Sequence, residues 1–284
     1  MDRHLLLTIS ERPDGLFGVR FVGRFFSGTG NVKFTLLYLT PKTQGAFQSD
    51  HESELRARKW EAKGQKALNA AKGELIRSGV KEEQVVTKLQ ARRVSKVKDI
   101  IHEGAKGRYD AVVLGRRGVS WLEQVYDESV TKDMLGQTVS FPIWICRLPD
   151  GDRKNVLACV DGSEASRRML DHVGFITEYV QHHIVTLMTV TRKGKIGDKM
   201  PEEIFSESTE VLVGSGLSPD RIQTQVLEDT SPGKVILKAA SEGAFAAVAV
   251  GRTGTGKGRL QKMFVGSVSD SLLKDLQGAA LWLA

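Results

Sequence analysis

The stretch Gly251–Gly258, GRTGTGKG, has residue types that commonly surround phosphate groups. Glycine lets a backbone come close to a ligand and adopt positive φ, and Lys257 adds a cation. The stretch falls one residue short of the P-loop of ATPases, because Gly258 stands where a Ser or Thr would bind Mg²⁺. Only about one helix and one strand follow it, which leaves no room for the later strand that carries a second metal-binding acid. A P-loop enzyme is therefore disfavoured.

A longer set of residues fits a nucleotide better. Gly251 ends a predicted strand, Gly254 and Gly256 follow it, and Gly266 and Ser267 open the predicted helix SVSDSLLKDL. The N-terminus of a helix offers free N–H groups and the positive end of the helix dipole to an anion, and Ser267 adds a hydroxyl donor. The alternative interpretation is a flexible glycine turn that binds no ligand.

Asp161 is an acidic residue that fits the same kind of site. It directly follows VLACV, the first predicted strand of the second half of the chain. In a doubly wound parallel sheet, ligands lie at the carboxyl ends of the strands, where the strand order reverses between the first and the fourth strand. An acid at that edge can hydrogen-bond ribose or adenine.

The elements that must position these residues occur twice, because the chain contains an internal repeat. Leu5–Ser10 resembles Val156–Asp161, and Tyr109–Gly118 resembles Phe245–Gly254. The order of the matches is preserved along the chain. Each copy alternates strands and helices, beginning and ending with a strand. This alternation predicts right-handed crossovers and a parallel sheet that is covered on both faces.

The boundary between the copies falls in the polar linker near Leu148–Arg153. We therefore predict one domain over residues 1–149 and a second over residues 150–284. The last strands of the copies, Pro142–Cys146 and Ala280–Ala284, could pair with each other within the chain and form a pseudo-dimer. In the alternative, each strand is simply buried in its own core.

Three features of the chain resemble the universal stress protein family: VDGSEASRRML at 160–170, TLMTV at 186–190, and a G-x-x-G that is followed later by GS. The resemblance covers nearly the whole chain as two tandem copies. It implies an α/β fold of two tandem Rossmann-like domains of the adenine-binding kind. Each domain would be a five-stranded parallel sheet with helices on both faces. Members of this family commonly dimerise through the last strand, which leaves a homodimer open as well.

The resemblance also implies an ATP site in the second domain, with Mg²⁺ as an open question. Asp161 and the backbone near Val190 would hold adenosine, while glycines and Ser267 would hold ribose and phosphates. The residues expected at this site are Val160, Asp161, Val190, Gly251, Arg252, Gly254, Gly256, Gly266, Ser267 and Val268.

The spacing of the glycines departs from the family pattern of G-x-x-G, nine residues and G-[ST]. Two extra residues separate Gly254 from Gly266, and counting from Gly256 restores the expected spacing. This departure concerns the individual phosphate contacts and not the location of the site. Arg252 and other cations of the loop could neutralise phosphate charge, or they could be solvated loop residues.

The first copy has the pattern of a degraded site. Gly115 and Gly118 are present, but Glu128 stands where the later glycine is expected, and its charge would repel a phosphate. Ser10 stands in the place of Asp161. We therefore predict that the first domain does not bind ATP and packs mainly against the second.

No catalytic set stands out in the sequence. It contains no zinc-binding H-E-x-x-H and no G-x-S-x-G nucleophile motif. His172 beside Asp171 is predicted to be a surface helix pair rather than a catalytic dyad.

Composition restricts the other partners. The net charge is +7, and the excess of basic residues lies in the first half. They mix with acids and lack interleaved aromatic residues, which favours a solvated surface over a nucleic-acid site.

The apolar runs have the length of strands, so no transmembrane helix is expected. Cys146 and Cys159 lie in apolar, strand-like runs, which is typical of buried, reduced thiols in a cytoplasmic protein.

Three functions remain open from the sequence. The first is an ATP-binding stress-response or regulatory protein whose nucleotide state changes its shape or its choice of protein partner. The second is a slow ATPase or phosphotransferase that uses the same pocket. The third is a protein-interaction module without a ligand. The first is favoured.

Overall fold

A computed structural model describes most of the chain. It covers residues 2–42, 51–115, 139, 141–148, 150–151, 153–192, 194, 196, 198–252 and 267–284. The strands are β1 Arg3–Ile9, β2 Val32–Thr40, β3 Val85–Ala91, β4 Ala111–Leu114, β5 Ile143–Cys146, β6 Lys154–Cys159, β7 Val185–Thr191, β8 Ile222–Glu228, β9 Phe245–Val250 and β10 Ala280–Leu283. The α-helices in the described ranges are α1 Phe17–Phe25, α2 His51–Arg77, α3 Lys96–Lys106, α4 Glu164–Thr177, α5 Pro201–Gly214, α6 Pro232–Glu242 and α7 Ser267–Asp275.

The strands form a single ten-stranded sheet in the order β3-β2-β1-β4-β5-β10-β9-β6-β7-β8. Each half of the chain contributes five parallel strands in the doubly wound order 3-2-1-4-5, counted within that half. The two sets meet where β5 pairs with β10, and that pairing is antiparallel. The predicted fold class, two tandem Rossmann-like units with five parallel strands each, is confirmed.

Local sequence explains why these segments form these elements. The strand β9, FAAVAV, is buried at every position, as expected for a central parallel strand with helices on both faces. In α4 the predicted apolar stripe of Met169, Val173 and Ile176 is fully buried. Ser163 caps this helix, since its side chain accepts a hydrogen bond from the Ser166 N–H at 3.2 Å. The helix α5 begins at Pro201, which suits a first turn.

Helices cover both faces of the sheet and create two hydrophobic cores. The first core packs α1, α2, α4 and α5 on one face, and the second packs α3, α6 and α7 on the other. Successive residues of a strand point to opposite faces, so Leu5 and Leu7 belong to the first core and Leu6 to the second. Both cores contain residues from the two halves of the chain.

Stacked aromatic rings fill the junction between the halves. Trp282 of β10 lies opposite Trp144 of β5 in the strand register, and the centroids of their fully buried, nearly parallel rings are 4.1 Å apart. The Trp144 indole N–H donates to Nε2 of His172 in α4 at 2.9 Å. The prediction that His172 lies on the surface beside Asp171 is therefore wrong: the imidazole is buried and faces the junction.

Polar contacts also connect the halves. Arg3, at the start of β1, donates from Nε to the Phe175 carbonyl in the last turn of α4 at 2.8 Å and pairs with Glu178 just beyond that helix. The His183 Nε2 lies 3.0 Å from the Phe25 carbonyl at the end of α1. The imidazole of His183 stacks on the Phe25 ring with the centroids 4.1 Å apart. The two halves are therefore joined by buried hydrogen bonds as well as by strand pairing.

The junction should be sensitive to acid. Burial lowers the pKa of His172 to about 3 and the pKa of His183 to about 4. An unfolded histidine takes up a proton below about pH 6.5, so between that pH and the folded pKa the unfolded state binds more protons. Stability then falls as pH falls, by about 2 kcal/mol for each histidine between pH 7 and pH 5.

Urea unfolding at pH 7 and pH 5 measures this loss. His172→Gln keeps an acceptor for the Trp144 N–H but does not titrate, so it should remove about half of the difference between the two pH values. An equal loss in the wild type and in His172→Gln would show that His172 does not carry the effect.

Candidate functional site

The candidate site lies at the carboxyl edge of the second half, where β6 and β9 end side by side. Cys159 and Val250 are partners in the parallel pairing of these two strands. Val160 and Asp161 leave the sheet directly after β6, and Gly251 and Arg252 leave it directly after β9. In the strand order this is the switch point at which doubly wound sheets bind ligands.

Gly251 allows α4 to approach the end of β9. A Cβ on this residue would lie 2.5 Å from the Ala165 carbonyl carbon and 2.8 Å from the Ser166 nitrogen. Backbone atoms cannot move aside as the end of a flexible side chain can. The absence of a side chain at Gly251 therefore holds the first turn of α4, with its positive dipole end, at this edge.

Asp161 is exposed and lies at the entrance to α4. Its Oδ1 accepts a hydrogen bond from the Ser163 N–H at 3.0 Å, and Gly162 between them has a φ of +74°. Within the described residues the carboxylate has no other hydrogen bond, which leaves Oδ2 able to accept a donor such as a ribose hydroxyl. The turn thus fixes the position of the carboxylate.

Val160 and Val190 form the apolar part of this edge. The Val160 side chain is buried, and its carbonyl accepts a hydrogen bond from the Thr189 hydroxyl at 2.8 Å. Val190, near the end of β7, is partly buried and pairs with Leu227 of β8. Thr189 was not identified from the sequence, because its role depends on the pairing of two strands.

The helix α7 begins at Ser267, as the sequence predicts. Val268 in its first turn is partly buried and packs against the second core. The predicted contacts Gly254, Gly256 and Gly266 lie outside the described residues, and so do Lys257 and Arg259.

Arg252 does not extend into solvent as a loop cation would. Its backbone N–H donates to the Ala284 carbonyl at 2.7 Å. Its Nη2 donates to the carbonyls of Phe141, at 3.1 Å, and Val139, at 3.3 Å, in the first half of the chain. Nη1 is buried and has no hydrogen-bond partner within the described residues. Burial, together with the nearby Arg168 cation, lowers the pKa of Arg252 to about 10, so the guanidinium is still charged at neutral pH.

The equivalent edge of the first half is occupied by its own side chains. A Cβ on Gly15 would lie 2.3 Å from the Ser10 hydroxyl oxygen, so the chain folds back onto Ser10. Next to it, the Tyr38 hydroxyl donates to the Glu11 carboxylate, and Lys63 Nζ is 3.9 Å from Glu11. Burial and this carboxylate raise the pKa of Tyr38. Gly118 and Glu128 lie outside the described residues.

A polar groove of about 580 Å³ lies between α4 and α5. It shares Gly162 and Ser163 with the candidate site, but its lining does not include Gly251 or Arg252. The lining carries both acids and bases, and one of its cations, Lys199, is already paired with Glu207 at 2.8 Å. The groove is therefore a neighbour of the switch point rather than the switch point itself.

Three further features bear on function. Among the described residues, no group of three or more His, Cys, Asp or Glu side chains is arranged to hold a metal ion. Within the same ranges, no helix combines the length and the apolar character that crossing a membrane requires. Both cysteines are unpaired, Cys146 being buried as predicted and Cys159 partly exposed.

Comparison with known proteins supports the sequence-based resemblance. A family model described as the universal stress protein family matches residues 152–277. No curated protein matches the chain at a significant level.

Solved structures extend the likeness to the whole chain. A universal stress protein from Archaeoglobus fulgidus DSM 4304 is 18% identical with a TM-score of 0.67, over 99% of this chain and 97% of that chain. A putative universal stress protein from Pseudomonas aeruginosa UCBPP-PA14 is 15% identical with a TM-score of 0.52, over 99% of this chain and 92% of that chain. At these identities the structures establish a common fold. The first half shares it, although the family model covers only the second half.

Proposed function

We propose that the C-terminal half binds ATP, on the premise that residues 152–277 match the model of the universal stress protein family. We propose further that the protein is a nucleotide-dependent stress-response regulator rather than a dedicated enzyme. The observation that carries the proposal is the convergence of Asp161, Gly251 and the first turn of α4 at the switch point between β6 and β9. At one edge of the sheet, Asp161 can accept a hydrogen bond from ribose, and the N-terminus of α4 lies beside it.

The arrangement of charge supports an anionic ligand. Nη1 of Arg252 is buried without a partner among the described residues, and an unpaired buried charge is costly unless an anion or another acceptor joins it. A nucleotide phosphate is an anion of the required kind. Mg²⁺ would then enter with the nucleotide, held mainly by phosphate oxygens.

Each predicted residue has a role in this proposal. Val160 and Val190 line the adenine side, and Asp161 accepts from the ribose. Ser267 and Val268 open the helix that faces the phosphates, and Arg252 contributes its cation. The remaining contacts proposed for ribose and phosphates are the glycines Gly251, Gly254, Gly256 and Gly266.

The halves have different roles in this proposal. Residues 150–284 form the ATP-binding domain. Residues 1–149 form a domain whose own site is degenerate, since the Tyr38–Glu11 pair and the Ser10–Gly15 contact occupy the corresponding edge. The antiparallel pairing of β5 with β10 would take the place of pairing between subunits, which makes the chain an intramolecular pseudo-dimer. The proposed location is the cytoplasm.

The test is to purify the full chain, extract any bound small molecule and titrate ATP by calorimetry. We expect one ATP site per chain. Asp161→Ala should weaken ATP binding by about 10- to 100-fold, the value of a hydrogen bond to a charged group. Asp161→Asn keeps an acceptor for the Ser163 N–H but removes the negative charge. Comparing it with Asp161→Ala therefore separates the effect of losing the charge from the effect of losing the turn.

Three results would contradict the proposal or change it. Two equivalent ATP sites per chain would refute the degenerate first domain. The absence of any nucleotide binding would favour a protein-interaction module. ADP production that is lost in Gly266→Asp would favour a slow ATPase or phosphotransferase.

A further inference from the structure

We propose that Arg252 couples the nucleotide site to the junction between the two halves, so that a bound phosphate tightens the contact of β5 with β10. The inference rests on the proposed function, because it takes the phosphate of that nucleotide as the anion.

Arg252 connects segments that flank three neighbouring strands, β9, β10 and β5. It follows β9 directly after Gly251 at the candidate site. Its backbone N–H donates to the Ala284 carbonyl at the end of β10 at 2.7 Å. Its side chain then reaches the Phe141 carbonyl, which lies just before β5, at 3.1 Å. A single residue therefore links the edge where the ligand is expected to the segment that leads into the first half's last strand.

The two terminal nitrogens of the Arg252 guanidinium differ in their hydrogen bonding. Nη2 donates to two carbonyl oxygens, Val139 and Phe141, while Nη1 is buried with no partner within the described residues. Carbonyl dipoles compensate only part of a buried positive charge, and burying a charged donor without a partner is unfavourable. The docked position of Arg252 is thus incompletely stabilised.

Among the described residues, no acidic side chain pairs with Arg252 as a counter-ion. Arg168 of α4 is close enough to disfavour the charge of Arg252. The nearby imidazole of His172 is buried and accepts the Trp144 N–H through Nε2. An anion that reaches Nη1 would complete the hydrogen bonds of the guanidinium and offset the repulsion from Arg168. A nucleotide phosphate at the switch point is such an anion.

This gives Arg252 two states, docked on Val139 and Phe141 or withdrawn from them. A ligand shifts such an equilibrium only by its difference in affinity for the two states. A phosphate that pairs with Nη1 in the docked state therefore stabilises the docked state and its bonds to the first half. Because coupling is reciprocal, loosening the junction must weaken phosphate binding by the same factor.

The protein contains its own reporter of this junction. Trp144 and Trp282 stack with their centroids 4.1 Å apart, next to the residues that Arg252 holds. Stacked indoles give a circular dichroism couplet that depends on their separation and angle. We expect saturating ATP or AMP to change this couplet in the wild type. Adenosine, which has no phosphate, should leave it unchanged.

The variants separate charge from geometry. Arg252→Met should weaken ATP affinity about tenfold, within the usual range of coupling factors, and should abolish the change in the couplet. Arg252→Lys keeps the cation but loses the forked donors, so it should recover part of the affinity without restoring the full couplet change. Arg56→Met removes an exposed cation of α2 and should match the wild type in both measurements.

The outcomes distinguish this inference from the proposed function. Tripolyphosphate serves as a probe that has charge but no nucleoside. ATP binding without a change in the couplet overturns the coupling and leaves the nucleotide site intact. If ATP does not bind but tripolyphosphate changes the couplet in the wild type and not in Arg252→Met, the coupling is supported and the nucleotide site is refuted. If neither ATP nor tripolyphosphate binds, both the coupling and the nucleotide site are overturned. An equal couplet change in the wild type and in Arg252→Met overturns the coupling alone.

Discussion

Replacing Trp144 with alanine is expected to lower the free energy of unfolding by about 3–5 kcal/mol, the usual cost of truncating a buried tryptophan. The ring is fully buried and stacked on Trp282, and it also lies edge-on to Phe21 with the centroids 6.1 Å apart. The substitution would open a cavity between the two halves. It would also leave His172 Nε2 without its donor, which adds the cost of a buried, unsatisfied polar atom.

Urea denaturation followed by far-UV circular dichroism measures this effect. Trp144→Phe is the matched control, because it keeps an aromatic ring in the stack and loses the N–H. Its expected cost is about 1–3 kcal/mol, that of leaving one buried acceptor unpaired. If Trp144→Ala cost less than Trp144→Phe, the ring stack would not be a main stabilising feature of the junction.

Replacing Gly251 with valine should disrupt both the fold of the second half and the nucleotide site proposed there. The first added atom, Cβ, would lie 2.5 Å from the Ala165 carbonyl carbon and 2.6 Å from its oxygen. Since the contacts are to backbone, α4 must move as a whole. Overpacking of this kind costs about 1–3 kcal/mol or more, and the displaced helix would take its N-terminus away from the switch point.

Thermal unfolding and ATP titration together test this prediction. Gly214→Ala is the control, since a Cβ at Gly214 meets nothing within 4 Å. It should be neutral in ATP binding and neutral or slightly stabilising in the melt. A Gly251→Val protein with wild-type melting temperature and wild-type ATP affinity would contradict the role assigned to the close contact between β9 and α4.

The architecture was predictable because it depends on local patterns that occur twice. Apolar strand-length runs such as Phe245–Val250 alternate with helices, and this alternation leads to a parallel sheet with covered faces. The edge that carries the candidate site was predictable for the same reason. Strands that run in parallel end at a common edge, so Asp161 after β6 and Gly251 after β9 must lie near each other.

Side-chain partners across the junction were not predictable. The pattern of α4 identifies its apolar stripe, but nothing in that pattern shows that His172 accepts a hydrogen bond from a tryptophan of the other half. The sequence suggested two possibilities for Arg252, a phosphate contact or a solvated cation. The structure shows something that neither possibility included: Arg252 donates hydrogen bonds to the carbonyls of Val139 and Phe141, which lie more than a hundred residues earlier in the chain.

The sequence by itself determined the repeat, the class of fold and the edge at which Asp161 and Gly251 meet, because these follow from periodicity and from the direction of parallel strands. Only the tertiary structure decided the register of β5 against β10, the stacking of Trp144 on Trp282 and the buried position of Arg252 Nη1, which has no partner in the described part of the chain. The physical reason is that hydrophobic periodicity specifies which face of an element is buried. It does not specify which distant residue packs against that face.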